Sequence, residues 1–133
     1  NARWVIDLDT VMPGLAANDL GYSIRFGAST AAEDETDLSK VTMSLDLYAA
    51  FAGAFLGACS LTQPEIELLP MGAKLMTLEC GVRFLTDYLQ GDTYFRVHRP
   101  GHNLDRTRTQ FKLVADMEAK WAEMARITKN GGK

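Results

Sequence analysis

The chain has 133 residues, 47% of them apolar and 23% charged, which is one domain's worth of sequence with enough apolar side chains to bury a core. A net charge of −3, a pI near 5.3 and no clustered Lys/Arg stripe exclude an electrostatic nucleic-acid surface. The longest nearly apolar stretch, Leu47 to Cys59, falls short of the ~20 residues that span a bilayer, so no membrane partner is expected either.

Asn1-Ala2 reads as a tag remnant or processed end, and the domain is taken as residues 3–133. The run Trp4-Val5-Ile6-Asp7-Leu8-Asp9-Thr10 predicts a β-strand ending in two acids on one face, roughly 7 Å apart at ~3.3 Å per residue. Two like charges so held suit a cation such as Mg²⁺, though a strand running out into solvent has the same pattern. No later hairpin offers this strand a partner, so a piece of a longer protein is expected. After the Met12-Pro13-Gly14 turn, Asn18 or Asp19 can cap a short helix through Leu20, Ile24 and Phe26 that Gly27 ends. The acidic stretch 28–40 is expected to be a solvated loop.

Ser44 starts the next helix, with Tyr48, Phe51, Phe55 and Cys59 as its core stripe and with Gly53 and Gly57 on a face open to close helix contact. Thr62-Gln63-Pro64-Glu65 is a capping box with Pro in the first turn. The helix it opens is allowed a break or kink at Pro70. Beyond it, Leu75, Leu78, Val82, Leu85 and Leu89 predict a buried face that Met76, Cys80 and Phe84 widen. Gly91-Asp92 ends this helix, and Tyr94 to Asn103 is irregular and broken by Pro100-Gly101. A last helix, from about Leu104 to Ile127, carries Phe111, Val114, Met117, Trp121 and Met124 on one stripe, and the tail 129–133 is expected to fray. Cys59 and Cys80, without Cys-x-x-Cys spacing, read as buried, reduced thiols of a cytoplasmic protein.

One constellation on the central helix could carry chemistry. Glu79, Arg83 and Asp87 stand at i, i+4 and i+8, so the Arg fork can face ligand oxygens at a cleft wall while the two acids orient it, with Tyr94 past the Gly91-Asp92 corner adding a ring face and a hydroxyl. The same line read structurally is an exposed or internally satisfied row of ion pairs. His98 and His102 are four apart, but Pro100-Gly101 between them breaks the helix that would make them a zinc pair. No glycine-rich phosphate loop is present.

The segments Val5 to Gly14 and Asn18-Asp19-Leu20-Gly21 resemble the metal-binding and following structural-Asp motifs of aminoglycoside-phosphotransferase-like small-molecule kinases. The longer runs from Gly72 to Gly81 and from Asp87 to Asp92, with Tyr94-Phe95 and Asn103-Leu104-Asp105-Arg106, are most similar to the N-acetylhexosamine 1-kinase branch. The resemblance implies a mainly α fold, the C-terminal helical subdomain of a protein-kinase-like architecture with one N-terminal β-strand. It implies Mg²⁺ and ATP as cofactors in the full-length protein, with Asp7 as the metal-binding acid and Asp9 beside it. Asp19 falls at a structural Asp that braces the catalytic loop, and Arg83 and Tyr94 fall where this branch contacts its sugar. The family's catalytic base, its Asn metal ligand and its nucleotide lobe find no counterpart in these residues. The expected parent is therefore an ATP-dependent sugar kinase, with this chain its substrate-side part, inactive alone and partnered by the missing N-terminal lobe. Asp7-Leu8-Asp9-Thr10-Val11 also fits the nucleophile motif of haloacid-dehalogenase phosphatases, and a non-catalytic helical interaction domain is a third possibility.

Overall fold

The computed structural model describes Leu8 and residues 11–132. Asp7 and Asp9, and with them all of the expected strand except Leu8, lie outside the described residues. Five α-helices dominate the rest: α1 (Ala16–Gly27), α2 (Leu45–Ala58), α3 (Gln63–Leu89), α4 (His102–Ala119) and α5 (Trp121–Lys129). The described residues form no sheet; one antiparallel bridge joins Ser29 to Met43. The described residues are mainly α, as the periodicity and capping signals predict.

Helix α3 is the spine on which α1, α4 and α5 pack, while α2 packs on α5 and α1. Its start matches the expected signal: the Glu65 carboxylate accepts from the Thr62 N–H (2.7 Å) and the Thr62 hydroxyl (2.6 Å), and these bonds hold its pKa low. Helix α2 likewise starts at Ser44, whose hydroxyl accepts from Leu47 N–H. Helix α1 begins earlier than a cap at Asn18 or Asp19 would allow, with Leu15 before its first turn. Pro70 does not end α3, which runs through it with the ring buried.

The buried face of α3 is rotated away from the expected one. Leu75, Leu78, Val82 and Leu89 face solvent, whereas Leu69, Gly72, Ala73, Thr77, Cys80, Gly81 and Phe84 are buried. The cause is close helix approach: a methyl group at Gly21 or Gly72 would run into the backbone of the other helix, so α1 and α3 meet across two glycines. On the far side, a Cβ at Gly81 would come within 2.8 Å of the Phe111 ring of α4. Small side chains let neighbours near, and nearness rather than hydrophobicity decides which face is covered.

Four more expectations change. The last helix is two helices, α4 and α5, broken at Lys120, whose ammonium is turned inward to donate to the Met43 carbonyl and to Asp116. Their buried residues are Leu113, Met117, Met124, Ile127 and Thr128, preceded on α4 by His102, Asn103, Thr107, Thr109 and Gln110, while Phe111 is exposed. The acidic loop is not merely solvated, because Glu33 ion-pairs Arg25 of α1 (2.5 Å) and Arg106 of α4 (3.6 Å), and its carbonyl accepts from the Thr109 hydroxyl. Gly53 meets the turn at Gly131-Gly132 rather than another helix, and Gly57 meets nothing. That turn closes α5 with Gly131 N–H on the Thr128 carbonyl and Gly132 N–H on the Ile127 carbonyl, a Schellman motif in the segment expected to fray.

Candidate functional site

The C-terminal end of α3 builds a cleft. The helix stops at Leu89 because Gly91 (φ +90°) and Asp92 (φ +58°) turn left-handed, a geometry Gly takes freely and Asp tolerates. Asp92 N–H is held by the Asp87 carbonyl (2.8 Å), and the Asp92 carboxylate accepts from Asn103 (2.9 Å). The chain then wraps around the Asp87 side chain. Asp87 Oδ1 accepts from the N–H groups of Thr93 (2.9 Å) and Tyr94 (2.7 Å), and Oδ2 accepts from Phe95 N–H (2.9 Å) and Asn103 Nδ2 (2.8 Å).

Such a carboxylate is buried without being orphaned. Burial pushes its pKa up, but the donors of Phe95, Tyr94, Thr93 and Asn103 outweigh that and leave it below the ordinary 3.8. A charged acceptor so surrounded fixes where the next residues go. Phe95 seats on Phe84 (centroids 4.7 Å apart), Tyr94 stands edge-on to Phe95 (4.8 Å), and the Tyr94 ring is left 73% exposed. The Asn103 side-chain carbonyl in turn accepts from Arg106 (3.1 Å), whose guanidinium lies over Phe84.

Arg83 completes the cleft. Its guanidinium lies 5.7 Å from the Tyr94 ring centroid and 5.4 Å from that of Phe95, within cation–π range. Burial opposes its charge, while Glu79 leads the neighbours that raise its pKa. Glu79 is its only ion-pair partner among the described residues, Nε to Oε1 at 3.7 Å. Arg83, Thr86, Asp87, Gln90, Tyr94 and Phe95 line an open cavity of about 330 Å³. The result is a shallow pocket with one aromatic wall, one free-facing fork and two neutral hydrogen-bonding side chains.

The expected arrangement is thus met in part. Arg83 and Tyr94 come together, and Glu79 touches Arg83; Asp87 does not orient the Arg but instead organises the loop that carries Tyr94. Asp19 is exposed in the first turn of α1 and makes no side-chain hydrogen bond among the described residues. It borders an opening of about 550 Å³ along residues 11–19, away from the Arg83 cleft. Thr86 and Gln90 carry no site signal in the sequence, and Phe95 and Asn103 stand only among the runs that carry the resemblance, with no role assigned to them.

At the other end of the irregular segment, His102 Nδ1 accepts from His98 N–H (3.2 Å) and Nε2 faces Asp34 at 3.1 Å. Both imidazole nitrogens of His102 are therefore engaged. No group of three His, Cys, Asp or Glu side chains that could hold a metal occurs among the described residues. Cys59 and Cys80 are free thiols, and burial raises the Cys80 pKa. No protein-family model matches the chain.

Proposed function

We propose that this chain is the substrate-side part of an ATP-dependent sugar kinase of the aminoglycoside-phosphotransferase-like type, and that the Arg83 cleft receives an N-acetylhexosamine. The observation that carries the reading is the pairing of an exposed Tyr94 ring with a guanidinium fork in one open pocket. A pyranose presents an apolar C–H face and a rim of hydroxyls. The ring face suits the first, and the fork, with Thr86 and Gln90, suits the second.

Phosphoryl transfer depends on positioning and on charge held at the phosphate. In this reading the chain's own contribution is to hold the sugar so that one hydroxyl faces the nucleotide. Mg²⁺ and ATP belong to the full-length enzyme; the acids assigned to the metal, Asp7 and Asp9, lie outside the described residues, which themselves offer no metal cluster. With neither catalytic base nor nucleotide lobe, the chain alone is expected to transfer no phosphate.

Two rival readings have less support. A dehalogenase-type phosphatase needs parallel strands after the Asp motif, and residues 11–132 supply none. A non-catalytic interaction domain would be favoured by a fully exposed Glu79-Arg83-Asp87 line with no pocket beside it, but Asp87 is buried and a cleft adjoins it.

The test is ligand-observed NMR of the 133-residue chain with N-acetylhexosamines. Arg83→Ala is expected to weaken sugar binding about 10- to 150-fold, the range of a charge-assisted hydrogen bond, and Arg83→Lys to restore little because it offers a point charge and no fork. If Arg83→Ala leaves sugar binding intact and lowers Tm sharply, Arg83 is a structural ion-pair residue and the site assignment fails.

A further inference from the structure

Arg106 of α4 does not line the Arg83 cleft, yet it touches what supports the cleft wall. Its guanidinium lies 5.4 Å from the centroid of Phe84, the ring on which Phe95 seats. One nitrogen, Nη1, donates both to the Arg96 carbonyl (3.2 Å) and to Asn103 Oδ1 (3.1 Å). The first acceptor lies one peptide past Phe95. The second belongs to the side chain that donates to Asp87 Oδ2 and Asp92 Oδ1.

We propose that Arg106 is a positioning residue of the cleft, holding the segment from Tyr94 to Arg96 in place for a ligand that it does not itself touch. The first ground is the division of labour along that segment. Irregular backbone has no ladder of its own, so side-chain bonds set its course. Asp87 holds the segment by its donors, the N–H groups of Thr93, Tyr94 and Phe95, whereas Arg106 holds it by an acceptor, the Arg96 carbonyl. Beyond Arg96 the next side-chain hold is His98 N–H on His102 Nδ1 (3.2 Å).

The second ground is where the fork points. A guanidinium placed only to neutralise Glu33 would aim its hydrogen bonds at that carboxylate. Arg25 does so, with Nη1 on Glu33 Oε1 at 2.5 Å. Arg106 does not: its side chain is only 16% exposed, its Nε stands 3.6 Å from Glu33 Oε2 and is buried without a hydrogen-bond partner, and its bonded nitrogen faces the cleft loop. A wall already held in place spares a ligand the cost of ordering it, and apparent affinity falls with the fraction of molecules in which the wall is in place. The proposal rests on the sugar reading for what the cleft receives, and not for the bonds that hold its wall.

The test compares the 133-residue chain with Arg106→Met and Arg106→Lys. Without ligand, amide exchange at Tyr94, Phe95 and His98 should quicken about 5- to 30-fold in Arg106→Met relative to the amides of α2 and α5. Arg106→Lys keeps the charge beside Glu33 but not the planar fork, so it should show the same local quickening with Tm close to that of the parent chain. With an N-acetylhexosamine, ligand-observed NMR should find both variants weakened about 5- to 30-fold. Arg108→Met, at an exposed side chain paired with Asp105, should change neither exchange nor affinity. Exchange that quickens evenly through the whole chain, or full restoration by Lys, makes Arg106 a structural partner of Glu33 and overturns the proposal. Unchanged loop exchange overturns it too, as does undiminished sugar affinity in both variants. If the parent chain binds no N-acetylhexosamine, the sugar reading falls, and the ligand-free exchange still decides for or against Arg106.

Discussion

Two buried regions of this molecule are held together by different physics. Around Val41, Met43, Tyr48, Leu69, Met117 and Met124 the interior is apolar, and apart from the hydrogen bond between Tyr48 and Thr128 (2.7 Å) its side chains offer only surface and shape. Around Asp87, Asn103, His102, Thr107 and Gln110 the interior is polar, and most neighbouring groups are matched donor to acceptor, Arg25 Nε and Arg106 Nε being buried without a hydrogen-bond partner. An apolar core tolerates a change of shape at constant volume, because dispersion is non-directional and the penalty scales with the void left. A polar one tolerates little, because a buried donor that loses its acceptor bears its full desolvation cost. The candidate cleft sits on the polar region, where the position of a loop is dictated bond by bond.

The largest effect should come from Asp87→Ala. It strips the acceptor from three backbone N–H groups and from Asn103 at once, so Tm should fall further than for any single truncation of the apolar core, and the Tyr94-Phe95 loop should lose its amide protection. Asp87→Asn, which keeps one acceptor oxygen, should fall between. If Asp87→Ala unfolds no more readily than a core truncation, the contrast between the two regions collapses.

Next comes the apolar region. Met117→Ala, at a fully buried position, is expected to cost about 2–5 kcal/mol in denaturant unfolding, whereas Met117→Leu should cost less than about 1.5 kcal/mol. A smaller effect follows at Tyr48, whose pKa burial drives up to about 12 against the lowering effect of its hydrogen bond with Thr128, to which the Tyr48 hydroxyl donates because Thr128 gives its own hydrogen to the Met124 carbonyl. Removing that hydroxyl by Tyr48→Phe should cost about 0.5–1.5 kcal/mol plus whatever Thr128 loses in pairing.

The mildest perturbation is acid. A carboxyl whose folded pKa lies below its unfolded value contributes stability that is present above the unfolded value and lost as pH falls through the folded one. For Asp87 the loss therefore begins as pH drops past the ordinary carboxylate value of 3.8 and continues below it. Amide exchange at Thr93, Tyr94 and Phe95 should quicken there before exchange in the helices around Met117 does. Simultaneous loss would show that the two regions are one cooperative unit.

These contrasts explain what could be read early and what could not. The helix starts at Ser44 and Thr62, the end at Gly91 and the mainly α character depend on residues within a few positions of each other, so local chemistry settles them. The nearness of Arg83 to Tyr94 is legible from the Gly91-Asp92 corner between them. By contrast, periodicity weighs only hydrophobic side chains, so it named Leu75, Leu78 and Val82 as core and passed over Thr77, Thr107 and Gln110, which are buried because they are bonded.

The amino-acid sequence by itself determined the starts of α2 and α3, the end of α3 at Gly91 and the helical character of the chain, since capping, turn and spacing rules act over a few residues, but not the start of α1 or the break at Lys120. Which face each helix buries was decided only in three dimensions. The close approach of Gly21 to Gly72 sets the rotation of α3, and the Asp87 carboxylate acquires its acceptor role only when Thr93, Tyr94, Phe95 and Asn103 are folded back onto it. Contacts between residues distant in the chain cost closure entropy that no local pattern encodes, and it is those contacts that turned a predicted core stripe outward and made Asp87, predicted to orient Arg83, the anchor of a loop.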